Sequence, residues 1–340
     1  MNKIFKFTVF FLFVVFGFVF AMGGRQADLD SALHQPDDLE LLSEYALIAE
    51  NPPVLEDTPE TDNTQVVEDA AVPTRGEQVM RALAEAYPKQ IDKIEFRNDD
   101  WAVLLRDIWF YYAEGRLLPE YQLENIMEYS RHSFYNYPEE LPPWVHPTPE
   151  QIERFRQWET TRTQNPTRRY PLFYDTLWRI QDRTEAGQRQ QTFRFLGQTI
   201  YMHYLVIENL SLVEEHILAA SRTDANVKAW IDNLDKMHAW NWRNISETQS
   251  RSNHSYGLAI DLLPRALRNR QTYWIWTRNS GVDWWTVDYS KRYHPPDAVI
   301  KAFEKFGFIW GGKWMQYDTM HFEYRPEILI LNGMYPETRR

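Results

Sequence analysis

The 340-residue sequence contains no cysteine. This absence excludes disulfide bonds, catalysis by a thiolate and the lipid-modified cysteine of a lipoprotein. The sequence also has no basic patch and no aromatic stretch interleaved with basic residues, and so DNA or RNA is not expected as a partner. No internal repeat is present, which argues against an architecture of repeated units.

Lysine and arginine are absent between positions 26 and 74, where the sequence has thirteen Asp or Glu residues. The formal net charge of the whole chain is −11, and without this segment it would be +2. The segment also contains five prolines and shows little periodicity. We therefore predict that residues 22–75 form a mostly disordered acidic linker, with a short helix near positions 39–48.

A long apolar run lies at the N-terminus. Lys3 and Lys6 lie before this run, which covers positions 7–20 almost without interruption. Ala21 ends a small-residue cleavage site. The pattern predicts a signal peptide at residues 1–21 and export to the periplasm or cell envelope of a bacterium, without stable membrane insertion after cleavage. An uncleaved anchor is the alternative, although the run is short for a spanning helix and no basic cluster follows it.

The rest of the chain divides into two predicted regions. Residues 76–192 are expected to be a mostly helical accessory region: positions 77–91 are amphipathic, and Thr148, Pro149 and Gln151 form a capping box that begins a helix. Within this region, positions 101–112 are rich in β-forming residues and predict a hairpin or a buried strand pair.

Residues 193–340 are expected to form a second domain. A strand pair turning at Gly197 is predicted over positions 195–201, and helices are predicted over 205–220, 224–234 and 295–306. Helices around a few non-sequential strands indicate the α+β class.

Two short segments of this domain contain a set of metal ligands. The first runs from Ser252 to Asp261 and includes His254, and the second runs from Asp318 to His321. If positions 256–263 form a strand, the face that carries Asp261 has almost no other side-chain bulk, as expected where a metal and a substrate lie against it. A second short strand is predicted over positions 320–324.

Two imidazoles and one carboxylate would leave the fourth tetrahedral position of zinc open for water, which is typical of a catalytic site. Asp318, three residues before a ligand, is our candidate general acid/base. Glu323 is the alternative base, or it orients His321 from behind. A single histidine is usually a core or surface residue, and the other seven histidines are interpreted in this way; the combined pattern favours a metal site.

These motifs resemble those of the zinc D-alanyl-D-alanine carboxypeptidases and dipeptidases, the VanY-like family that also includes L-alanyl-D-glutamate endopeptidases of peptidoglycan. The resemblance covers about the last 145 residues. It implies one Zn²⁺ ion held by His254, Asp261 and His321, with Asp318 as the catalytic acid/base, in a small antiparallel sheet flanked by helices. The family's arginine upstream of the first motif, which engages substrate, matches Arg243 best, and Arg251 is the second candidate.

The implied function is that of an exported zinc metallopeptidase acting on peptidoglycan stem peptides, with Ser252, Tyr256 and Glu323 expected to contact substrate or to support the ligands. D-Ala-D-Ala carboxypeptidase activity is favoured. L-Ala-D-Glu or other endopeptidase activity is the alternative, because several dipeptidases have Glu where this chain has Asp318. A non-catalytic cell-wall binding module would need the three ligands but no acid/base. A structural protein with a stabilising metal is disfavoured by the open fourth position.

Overall fold

The structure, a computed structural model, describes residues 73–337. The predicted signal peptide, the helix near positions 39–48 and almost all of the acidic linker therefore lie outside the described residues. The α+β class is confirmed. Within residues 73–337, no helix combines the length and the apolar character needed to cross a membrane.

Ten α-helices occur in this part of the chain: α1 (Arg75–Ala86), α2 (Pro149–Gln164), α3 (Leu172–Trp178), α4 (Arg183–Arg189), α5 (Ile207–Ala220), α6 (Ala225–Asp232), α7 (Asn253–Tyr256), α8 (Trp274–Asn279), α9 (Asp297–Lys305) and α10 (Pro326–Leu331). Ten strands occur with them: β1 (Ile91–Arg97), β2 (Asp100–Leu105), β3 (Ile108–Tyr111), β4 (Leu118–Pro119), β5 (Gln190–Phe195), β6 (Gln198–His203), β7 (Leu234–His238), β8 (Ala259–Pro264), β9 (Phe308–Trp310) and β10 (His321–Tyr324).

The accessory region is less helical than predicted, because strands β1 to β4 form an antiparallel sheet in chain order. The predicted hairpin at positions 101–112 is confirmed as β2 and β3. Two-residue loops at 98–99 and 106–107 connect the first three strands, and all four loop residues have positive φ, as hairpin turns of type I′ require. Strand β1 was not predicted from the sequence, because most of its side chains are charged or exposed and give no apolar alternation. The capping box of α2 is confirmed.

A second antiparallel sheet has the strand order β7-β8-β10-β9. The two central strands, β8 and β10, therefore come from the two motif segments, which are far apart in sequence. The predicted strand at 320–324 is confirmed as β10, but the predicted strand at 256–263 begins only at Ala259. The residues before it form the helical turn α7, because the Ser252 side chain caps its start and Gly257 ends it in the left-handed conformation at φ 73°.

Helix α9 packs against this sheet, where the Phe303 ring stacks on Phe322 of β10 with 4.0 Å between the ring centroids, and α5 packs in turn against α9. In α5 and the residue before it, Val206, Leu210, Val213 and Ile217 are fully buried. Strands β5 and β6 form a separate hairpin, whose turn contains Gly197. The main hydrophobic core is continuous from α1 to β10, and it includes residues of both predicted regions. The boundary between positions 192 and 193 stays a prediction.

Candidate metal centre

His254 owes its position to the short turn α7. The Ser252 hydroxyl accepts a hydrogen bond from the backbone N–H of His254 at 3.3 Å, which begins the turn. Gly257 then reverses the chain into β8, and its N–H donates to the His254 carbonyl at 3.0 Å. The first motif thus folds as a capped turn followed by a strand, and this brings His254 back over the strand that carries Asp261.

Asp261 and His321 are direct cross-strand partners on β8 and β10. Residues paired in this way project to the same face of a sheet. Nδ1 of His321 lies 2.8 Å from Oδ1 of Asp261, and Nε2 of His254 lies 3.1 Å from Oδ2 of the same carboxylate. The ligand atoms of the three residues all lie within 4.8 Å of one another, and all three side chains are buried.

Hydrogen bonds from behind select the nitrogen that each imidazole presents. The Nδ1–H of His254 donates to the Ala239 carbonyl oxygen at 2.5 Å, which leaves Nε2 facing the centre. The Nε2–H of His321 donates to the Glu323 carboxylate at 3.1 Å, which leaves Nδ1 facing Asp261. Glu323 also accepts from the Asn253 side-chain amide at 2.9 Å. Such outer hydrogen bonds are typical of imidazoles that ligate a metal.

The donor set fits a zinc ion. Two imidazole nitrogens and one carboxylate converge, and Oδ2 of Asp261 is buried without a hydrogen-bond donor in the described part of the chain. Burial alone would raise the pKa of Asp261, but the two imidazoles lower it overall. Burial opposes the charge of His321, whereas Asp261 and Glu323 raise its pKa to about 10. A metal ion must therefore displace a proton from His321.

Asp318 lies beside this set in a segment that pairs with residues 272–274. The Trp274 N–H donates to the Tyr317 carbonyl at 3.0 Å, and the Thr319 N–H donates to the Thr272 carbonyl at 2.8 Å. The Asp318 carboxyl is fully buried. Burial raises its pKa, and the negative charge of Asp261 raises it further.

A cleft of about 360 Å³ reaches two of the three candidate ligands, His254 and Asp261. Its lining includes Arg243, His254 and Asp261, together with Thr199, Tyr201 and Trp240. Burial lowers the pKa of His254 and raises the pKa of Asp318; the positive charge of Arg243 reaches both groups and favours the uncharged imidazole and the ionised carboxylate. Its backbone is held by Ser255, whose hydroxyl accepts from the Arg243 N–H at 2.8 Å.

The structure separates the two candidate arginines. Arg251 forms an ion pair with Asp175 on α3 and lies over the Trp242 ring, 4.5 Å from its centroid. The hydroxyl of Tyr256 donates to the same Asp175 at 2.6 Å. Arg251 and Tyr256 therefore join the motif turn to α3, whereas Arg243 lines the cleft. Ser252 caps the turn, and Glu323 lies behind His321.

Sequence reasoning missed several contributors to the site. The Ala239 carbonyl is a backbone group, so no residue type could have indicated it. Ser255 stands between two motif residues, and its role depends on a contact with the segment at 243. Thr199 and Tyr201 reach the cleft from the hairpin β5–β6, which is distant in sequence.

Two family models match the chain. The model described as D-alanyl-D-alanine carboxypeptidase matches residues 246–324, and it thereby confirms the family resemblance over the segment that contains both motifs. A model for a domain of unknown function matches residues 79–134, which span most of α1 and the first sheet. Comparison with the curated proteins and with the solved structures gives no match.

Proposed function

We propose that the protein is an exported zinc metallopeptidase that hydrolyses peptide bonds of peptidoglycan stem peptides, with D-Ala-D-Ala carboxypeptidase activity favoured. The main support is the buried group His254, Asp261 and His321, which opens on a cleft and has a second buried carboxyl, Asp318, beside it. The carboxypeptidase match over residues 246–324 supports the substrate class.

The chemistry follows from the properties of these side chains. When bound by the three ligands, zinc lowers the pKa of water towards neutrality and polarises a carbonyl group. Asp318 is suited to accept the proton of the attacking water and to return it to the leaving amine, because its raised pKa lets the carboxyl hold a proton as well as release it. Arg243 in the cleft can bind a substrate carboxylate or carbonyl oxygen through its planar guanidinium.

An endopeptidase is the second candidate. The cleft continues beyond the ligands to Thr199 and Tyr201, which leaves space for substrate on that side of the scissile bond. A carboxypeptidase needs to hold only a short C-terminal end, whereas an endopeptidase must bind chain on both sides. A non-catalytic binding module explains the site less well, because it has no use for a buried Asp318.

Hydrolysis can be tested with the purified full chain and a wall fragment that carries a pentapeptide. The fragment is incubated with the chain and zinc, and then with the chain and a chelator, and the products are identified by mass. Loss of one terminal alanine would establish a carboxypeptidase, and a cut further up the stem would establish an endopeptidase. If neither this fragment nor a cross-linked one gives a chelator-sensitive product, the proposed hydrolysis is wrong.

A further inference from the structure

The hairpin β5–β6 packs directly against the turn that carries His254. The His203 N–H donates to the Gly257 carbonyl at 2.8 Å, and the Trp240 N–H donates to the Tyr201 carbonyl at 3.1 Å. A Cβ atom at Gly257 would lie 2.8 Å from the His203 nitrogen, so this close approach requires glycine. The hairpin, which lies outside the matched segment, is therefore a fixed border of the metal centre.

One face of the hairpin is polar apart from a single aromatic ring. On β6, Ile200 and Met202 are buried, whereas Thr199 and Tyr201 are exposed. The strand register pairs Thr192 with Tyr201 and Arg194 with Thr199, and paired residues share a face. We call Thr192, Arg194, Thr199 and Tyr201 the hairpin face. It presents one flat ring among two hydroxyl groups and one guanidinium.

Tyr201 joins this face to the metal centre. Its side chain is 53 % exposed, although it is a large aromatic residue, and both Tyr201 and Thr199 line the cleft that reaches His254 and Asp261. A substrate bound in this cleft can therefore reach both the metal centre and the Tyr201 ring.

The backbone of β6 limits what such a substrate can be. An extended peptide usually binds a sheet by adding a strand to a free edge. The outer edge of β6 is already used at its C-terminal end, where the Tyr201 carbonyl and the His203 N–H bond to Trp240 and Gly257. At this end of β6, recognition on the hairpin face must therefore come from side chains.

We infer that the hairpin face is a subsite for a saccharide unit, so that the substrate is a glycan-linked peptide rather than a free peptide. A sugar ring has an apolar C–H face, which can stack on Tyr201, and a rim of hydroxyl groups, which can bond to Thr192, Thr199 and Arg194. The inference rests on the proposed function, because it assigns the sugar to the same peptide that the metal centre would cleave.

Binding without turnover tests this subsite separately from hydrolysis. Titration calorimetry compares two probes, a muramyl-linked pentapeptide and the same pentapeptide without its sugar, on the zinc-loaded full chain with Asp318→Asn. We expect the sugar-linked probe to bind about tenfold more tightly, and we expect Tyr201→Ala to remove this difference. Tyr204→Ala is the matched control, because Tyr204 is also exposed, at 41 %, but does not line the cleft.

The outcomes distinguish this inference from the proposed function. Equal affinity for the two probes, or a difference that persists in Tyr201→Ala, would overturn the saccharide subsite even if the wild-type chain cleaves both. A sugar-dependent affinity that Tyr201→Ala removes would support the subsite even if the wild-type chain cleaves neither, and the proposed hydrolysis alone would then fail. Tyr201→Phe, which keeps the ring, should retain most of the difference.

Discussion

The Glu323 carboxylate accepts a hydrogen bond from Nε2–H of His321 at 3.1 Å, and this contact determines which nitrogen of the imidazole faces Asp261. Glu323 lies two residues after His321 on β10, so alternate residues of one strand provide the ligand and the group that orients it. The carboxylate also makes the imidazole a better electron donor.

Glu323→Gln is expected to weaken zinc binding by about 10-fold to 100-fold, because the variant loses the negative charge behind His321. Zinc affinity can be measured by competition with a chromophoric chelator. Glu304→Gln is a suitable control, since Glu304 is largely buried beside Lys313 and Tyr137, away from the three ligands. A Glu323→Gln variant with wild-type affinity would mean that Glu323 does not support the metal site.

Asp318→Asn should retain zinc and fold but lose hydrolysis by about two to four orders of magnitude, because an amide cannot transfer the proton. His254→Ala is the contrasting variant, in which zinc is lost together with activity. For each variant, metal analysis measures the bound zinc and the mass of the products measures hydrolysis. Near-normal turnover in Asp318→Asn would contradict the acid/base assignment.

The grouping of His254, Asp261 and His321 was predictable because both motifs are local patterns with unusual residue types at fixed spacing. The same holds for the Thr148 capping box and for the turn at Gly197. The helical turn α7 was not predicted, because Gly257 can bound a strand as well as end a helix. Its need for glycine depends on Gln190 and His203, which are far away in sequence.

Zinc affinity should increase with pH. The pKa of His321 is raised to about 10 in the metal-free chain, so its imidazole is protonated at neutral pH and zinc must displace that proton. One displaced proton makes the dissociation constant about tenfold smaller for each pH unit, or about 100-fold smaller between about pH 6 and about pH 8. Calorimetry in buffers of different ionisation enthalpy would count the released protons. A pH-independent affinity would contradict this linkage.

Gly257→Ala should destabilise the fold by about 2–4 kcal/mol, because it combines a positive φ with a Cβ that would overlap Gln190 and His203. Gly197→Ala is the matched control. Its φ is +86°, but nothing lies within 4 Å of the added Cβ, so only the backbone strain of about 1 kcal/mol is expected. Urea unfolding measures both free energies. Equal losses would show that the close contact with the hairpin contributes nothing.

Replacing Arg243 or Arg251 with alanine should affect different properties of the protein. Arg243→Ala should keep its stability and its zinc but lose about 100-fold in kcat/KM, because the guanidinium lines the cleft and acts on substrate. Arg251→Ala should instead lose about 1–3 kcal/mol of stability, because it leaves the Asp175 carboxyl largely buried without its cation. Thermal unfolding and kinetics on the two variants test this contrast. If Arg251→Ala were stable but inactive, the substrate role would belong to Arg251.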